Sequence, residues 1–237
     1  MKTLQLTFLM VLALLLSSCT MNFGTKGNGH LVTQDRNITD DFTGIISSAG
    51  IDVFLTQGDQ NKVVVETDEN LQEYIETSVR NGTLRIETSK NIRWAKARKV
   101  YVTYKELDNI EATSGSNIQG NSVIKSQNLF LKASSGAEIE VEVFSQDLNL
   151  NASSGSEMKI SGKSSSLTVQ ASSGSEIDAK RLAVINCIAK ASSGAEIEVN
   201  VKEKIDAKAS SGGEINYYGN PTFANAQKSS SGSVKKQ

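Results

Sequence analysis

Two cysteines and one histidine in 237 residues leave no room for a Cys/His zinc cluster, a disulfide framework or an HExxH helix. No P-loop, dinucleotide fingerprint or GxSxG elbow is present, so nothing points to a cofactor or a nucleophile. Aromatic residues are only 5% of the chain, which leaves few platforms for stacking a sugar or a base. Neither charge dominates. Lys plus Arg is 25, Asp plus Glu is 26 and the formal net charge is −1, which argues against a dedicated nucleic-acid binder. Proline occurs once, at Pro221, so almost every backbone N–H is free to join a sheet ladder. Against these absences stand 31 serines, together with frequent Val and Ile that alternate with polar residues. That alternation separates the chain from serine-rich disordered sequences.

Residues 1–18 read as an export leader. Lys2 supplies a positive start, and Leu4 to Leu16 is apolar except for Gln5 and Thr7. The run falls short of the roughly 20 apolar residues of a spanning helix. It closes on Leu16-Ser17-Ser18-Cys19, which resembles the bacterial lipobox. That resemblance implies cleavage before Cys19, lipidation of its thiol and acylation of the new amino terminus, and hence a membrane anchor. Residues 19–36, with Gly24, Gly27 and Gly29 and no apolar pattern, read as the lipidated cysteine and a flexible tether. The folded domain is expected over 37–237.

An internal repeat determines the expected fold. Ala-Ser-Ser-Gly-(Ala/Ser/Gly)-Glu-(Ile/Met) occurs five times, with glycines at 136, 155, 174, 194 and 212. A weaker copy surrounds Gly115, and a degenerate one, Ser230-Ser231-Gly232-Ser233, follows. Around each glycine apolar residues recur with period two, as in Leu148/Leu150/Ala152 before Gly155 and Met158 after it. A unit of about 20 residues holds two or three short strands, and it buries its apolar face only by stacking on its neighbours. A leucine-rich repeat needs an LxxLxL core that is absent, and a propeller blade needs about 40 residues. The sequence therefore predicts an all-β, right-handed parallel β-helix of about 20-residue rungs. Residues 38–110 are less regular but strand-rich, with a hairpin turn at Asn81-Gly82 and one helical stretch expected over 70–79. This half forms either the first rungs or a cap.

Several segments in order carry a family resemblance: Phe42-Thr43-Gly44-Ile45, Gly50-Ile51-Asp52-Val53, Val65-Glu66-Thr67-Asp68-Glu69-Asn70-Leu71, Asn81-Gly82-Thr83-Leu84, the serine-glycine rungs and Tyr218-Gly219-Asn220-Pro221. Over most of residues 36–234 the chain resembles the putative auto-transporter adhesin head GIN domain family of bacterial envelope proteins. The resemblance implies a β-helical fold and a cell-envelope location, and it transfers no catalytic residue.

Three groups of residues are candidates for chemistry. The carboxylates of Glu138, Glu157, Glu176, Glu196 and Glu214 should stack in one column. They form either a solvated face neutralised by Lys132, Lys190 and Lys208 or, as the weaker reading, a divalent-cation site. Residues 80–105 carry seven net positive charges around Trp94, with Tyr101 and Tyr104 nearby. Here Arg93, Trp94, Lys96, Arg98 and Lys99 are the best candidates for binding an anionic glycan, with an envelope protein as the other partner class. Nucleic acid is disfavoured by the net charge. The serine ladder reads as packing at a corner, and Cys187 as a buried thiol.

The leading expectation is a non-enzymatic lipoprotein that presents a rigid β-helix for binding or scaffolding. It is placed at the outer membrane, periplasm-facing in preference to surface-exposed. The alternative is a carbohydrate-active β-helix enzyme acting on an acidic polysaccharide. Residues 112–216 hold only Phe130 and Phe144 as aromatics, both expected in the core, which counts against that alternative.

Overall fold

A computed structural model describes residues 24–229 and 231–237. The leader, Cys19 and the first part of the expected tether lie outside the described residues, as does Ser230 of the degenerate repeat. In chain order the irregular half holds β1 (Thr25–Lys26), β2 (Leu31–Arg36), β3 (Gly44–Ser47), β4 (Asp52–Gln57) and β5 (Lys62–Asp68). After a 3₁₀ turn (Glu69–Tyr74) come β6 (Ile75–Arg80), β7 (Thr83–Thr88), β8 (Ile92–Trp94) and β9 (Arg98–Tyr104). The repeating part holds β10 (Asn109–Ala112), β11 (Asn117–Gly120), β12 (Ile124–Ser134), β13 (Glu138–Ser153), β14 (Glu157–Ala171), β15 (Glu176–Ala191), β16 (Glu196–Ala209), β17 (Glu214–Tyr218), β18 (Phe223–Lys228) and β19 (Ser233–Lys236).

Each repeat is one rung of a parallel β-solenoid, and the serine-glycine motif is its corner. In Ser134-Ser135-Gly136-Ala137, φ is +54° at Ser135 and +69° at Gly136. The Ala137 N–H donates to the Ser134 carbonyl at 3.2 Å. Two successive positive φ values inside an i to i+3 bond are the signs of a type I′ turn. Serine in this region is strained, but each corner is tied to the next. The Gly136 N–H donates to the Ser154 carbonyl at 3.1 Å, and Gly155 to Ser173 likewise. The fourth turn residue points into a narrow corner, so Ser116, Ala137, Ser156, Ser175 and Ala195 are all buried. A Cβ at the equivalent Gly213 would sit 2.6 Å from the Ala191 carbonyl carbon. This is why only Ala, Ser or Gly occupies the position from Ser116 to Gly232, whereas the first corner, at Ala49-Gly50, carries a buried Ile51 there. Where it is serine, the hydroxyl stays satisfied, as Ser156 Oγ donates to the Ala133 carbonyl at 2.9 Å.

Between corners the strands stack in register. Leu129, Leu148, Leu167, Cys187 and Ile205 pair as successive neighbours, and all are buried. Each fully buried Leu or Ile contributes about 1.5–3 kcal/mol. The last rung needs a correction. Glu214 pairs with Ser233, so Gly232 matches Gly213, and Ser231 (φ +64°) takes the place of Gly212. The sequence repeat is therefore misaligned by one residue at that rung.

The irregular half supplies both rungs and a cap. β3 pairs in parallel with β7 and with β10, and β4 with β9 and β11. The rung made of β7 and β9 is therefore first in space, although it comes second in the chain. Antiparallel β6 on β7, β5 on β9 and β2 on β5 close this end.

Two expectations fail here. The helix over 70–79 is a 3₁₀ turn followed by β6, because Ile75, Thr77 and Val79 share strand parity and pair with Thr88, Ile86 and Leu84 of β7. The tether assigned to 19–36 gives way to strands at 25–26 and 31–36. The Arg36 guanidinium fastens the second strand by donating to the Gln72 carbonyl at 2.7 Å.

Candidate binding site

The two-stranded sheet of β1 and β8 stands apart from the main sheet and places two loops side by side. Asp68, at the end of β5, holds them together. Its carboxylate is fully buried and accepts the Gly29 N–H at 2.5 Å and the Lys96 N–H at 2.7 Å. A carboxylate accepting backbone N–H groups from two segments acts as a clamp, since hydrogen bonds to a charged acceptor are the strong ones. Asn70 adds a second clasp, accepting the Asn28 N–H and donating to the Lys26 carbonyl, both at 2.9 Å. Gly27 must lack a side chain here, because a Cβ would collide with the Asp68 carboxylate.

The clamped loops enclose a hollow of about 620 Å³ lined by Lys26, Gly27, Asn28, Gly29, Arg93 and Trp94. Trp94 is 47% exposed, and Lys26 Nζ lies 5.8 Å from its ring centroid. Lys96 Nζ reaches the Gly29 carbonyl at 3.4 Å on the rim. Two cations, an exposed indole and peptide groups in one concave surface, with a third cation on the rim, suit an anionic ligand with a flat apolar face.

Of the five residues expected to bind, Arg93, Trp94 and Lys96 meet here, and Arg98 and Lys99 do not. Arg98 donates to the Ala49 carbonyl at 3.2 Å and braces the Ala49-Gly50 corner. Lys99 lies in β9 between Asp52 and Glu66 of its two neighbours. Tyr101 stacks on Phe54 at 5.3 Å and donates to Glu66 at 3.0 Å. Partial burial and that carboxylate raise its pKa. Tyr104 is in the core. Sequence reasoning missed Lys26 and Asn28 because they fell in the supposed tether. It quoted Asp68 and Asn70 without seeing their partners.

The glutamate column forms as expected, each member pairing with the next from Glu138 to Glu214. Its counter-ions are not the expected ones. Lys159 bridges Glu138 at 3.0 Å and Glu157 at 2.7 Å, and Lys235 holds Glu214 at 2.7 Å. Lys132 pairs instead with Glu111, and Lys132, Lys190 and Lys208 line a groove on the face before the corner. The turn separates these lysines, four residues before each repeat glycine, from the glutamates two residues after it. Among the described residues no lysine pairs with Glu176, and burial and the charges of Glu157 and Glu196 raise its pKa. Among the described residues no three acids, histidines or cysteines gather closely enough to hold a metal ion. Burial pushes the Cys187 thiol up to about 12.

Phe130 and Phe144 both point outward, against expectation. Phe130 sits between inward Leu129 and Leu131. Phe144 is 58% exposed because consecutive outward residues at 146 and 147 shift the parity. Two acids, Glu106 and Asp108, line a hollow of about 580 Å³ with Lys105 and Lys125, but no aromatic residue joins them.

The family described as "Putative auto-transporter adhesin, head GIN domain" matches residues 41–221. Comparison with curated proteins returns no match. Among solved structures, a putative adhesin from Bacteroides fragilis is similar at 21% identity and a TM-score of 0.84, covering 90% of this chain and 100% of that one. A putative adhesin from Parabacteroides merdae is 22% identical, with a TM-score of 0.71 and coverage of 90% and 98%. A putative lipid binding protein from Parabacteroides distasonis is 19% identical, with a TM-score of 0.71 and coverage of 90% and 99%. At these identities the likeness establishes the shared solenoid.

Proposed function

The chain belongs to the head GIN domain family of putative auto-transporter adhesins, and from that premise we propose that it is a non-enzymatic cell-envelope lipoprotein whose solenoid presents a binding surface. Lipidation at Cys19 anchors it to the outer membrane, with the domain in the periplasm rather than on the cell surface. The hollow of Lys26, Arg93 and Trp94, with Lys96 on its rim and clamped by Asp68, is the observation that carries the reading. Its cations attract an anionic glycan or an acidic envelope partner, and Trp94 supplies apolar contact. Attraction between exposed charges weakens within about 10 Å at 0.1 M salt, so binding should be salt-sensitive.

The test is a glycan and polyanion array probed with the full chain at two salt concentrations. Salt-sensitive binding that falls about tenfold in Arg93→Gln and Lys96→Gln supports the site. If no binding on the array falls in either variant, the site is removed. Preference for anionic vesicles would redirect the reading toward the chemistry named for the Parabacteroides distasonis relative. Loss of Cys19→Ser protein from the membrane fraction tests the anchor separately.

A further inference from the structure

A second groove runs along the solenoid axis, far in sequence from the clamped loops. Lys125, Phe144, Lys163 and Ala183 occupy one column on four successive rungs. Ile185, 37% exposed, follows at the bend, and on the next rung Asn200 continues the column while Lys202, two residues later, lies beside it. Together they line a hollow of about 680 Å³ that contains no acidic side chain. None of the three lysines forms an ion pair with another described residue. Lysine and apolar surface thus alternate rung by rung. With rungs about 4.8 Å apart, Lys125 and Lys163 stand about 9.6 Å apart, and Lys202 lies two rungs beyond Lys163 but to one side of the column, so the row spans about 19 Å along the axis.

We propose that this groove binds a linear acidic glycan bearing one carboxylate per disaccharide, laid along the axis. The carboxylates would meet Lys125, Lys163 and Lys202, and the intervening sugar rings would pack their C–H faces on Phe144 and on Ala183 with Ile185. Gln146 and Ser165, themselves joined at 3.0 Å, offer amide and hydroxyl groups to sugar hydroxyls. An alkyl chain fits this row poorly, since a lysine interrupts the apolar surface at every second rung. A nucleic-acid strand places its charges about 3.4 Å apart, which is out of step with it. The site uses no residue of the Arg93 hollow and stands independently of it.

The experiment is calorimetric titration of the full chain with oligosaccharides of alternating N-acetylglucosamine and glucuronic acid, in increasing lengths. Affinity should rise with length until the row is spanned and then level off. Phe144→Ser and Lys163→Gln should each weaken binding about tenfold, and Arg93→Gln and Lys96→Gln should leave it unchanged. All four residues are at least partly exposed, so circular dichroism should show each variant folded. The proposal is overturned if the oligosaccharide does not bind, or if its carboxyl-reduced form binds equally well. It is also overturned if oligogalacturonate, with an acid on every sugar, binds as tightly. Tighter binding of dodecanoate or phosphatidylglycerol vesicles would likewise sink it, as would unchanged affinity in the Phe144 and Lys163 variants.

Discussion

From β12 to β17 the order of the chain is the order in space, and each rung repeats the corner of the one before. From β1 to β9 the chain doubles back, lays a rung beneath one already made and covers the open side with antiparallel strands. The contrast separates two uses of sequence. Repetition places like residues in columns, so the chemistry of the regular half is that of rows: glutamates on one face, alternating lysine and apolar side chains on another. Irregularity brings distant loops together, so the only clamp built on a buried carboxylate among the described residues, at Asp68, sits in the half that does not repeat.

The sharpest way to break this contrast is Asp68→Ala. It strands two backbone N–H groups in the clamp and should destabilise the chain by about 2–4 kcal/mol, read by urea unfolding. Trp94 fluorescence should report loss of the hollow, while the columns of the regular half remain intact. A smaller loss should follow Gly213→Val. The new side chain must push into the Ala191 backbone, and overpacking of this kind costs about 1–3 kcal/mol. The same substitution at Gly136, which has open space beside it, would test φ strain alone.

The smallest effect separates rungs within one column. Glu176 has a raised pKa, so the folded chain holds its proton more tightly than the unfolded chain does. Its ionised form opposes folding above that raised value, and the penalty vanishes as pH falls toward the usual carboxylate range. Glu176→Gln should therefore stabilise the protein at neutral pH by about 0.2–1 kcal/mol, the range for like charges across strands, and the gain should fade on acidification. Glu214 has the opposite sign. Its hydrogen bond from Lys235 lowers its pKa, so its contribution is present at neutral pH and is lost as pH falls through that lowered value. Thermal melts of Glu176→Gln and Glu214→Gln across pH should diverge.

Much of the regular half was legible because the corner imposes a chemical signature. Two positive φ values and one cramped position dictate Ser, Gly and a small residue at fixed spacing, and the period follows. The Ala49-Gly50 corner has the same geometry (φ +62° and +65°) but lacks the flanking repeat, so it went unread. Inward parity was readable near each corner and failed at the bend, where Phe144 turned outward. The hollow was only half legible. Arg93, Trp94 and Lys96 announced themselves by charge and aromaticity close in sequence. Lys26 and Asn28 are brought there by bonds to Asn70, and neighbouring Gly29 by one to Asp68, about forty residues away, and no local pattern records such a pairing.

The reversed order of the first two rungs also bears on how the molecule comes into being. β3 and β4 cannot gain a parallel partner on the cap side until the chain has been supplied through Tyr104. The earliest stage therefore demands several long-range pairings at once, and contacts of that kind are slow to form. Afterwards each rung needs only the twenty or so residues that follow, laid on an edge already held in register. Assembly is thus seed and growth: one costly nucleus over residues 31–104, then addition of rungs one by one, so a lesion in the seed should delay every rung and a lesion late in the stack only those beyond it.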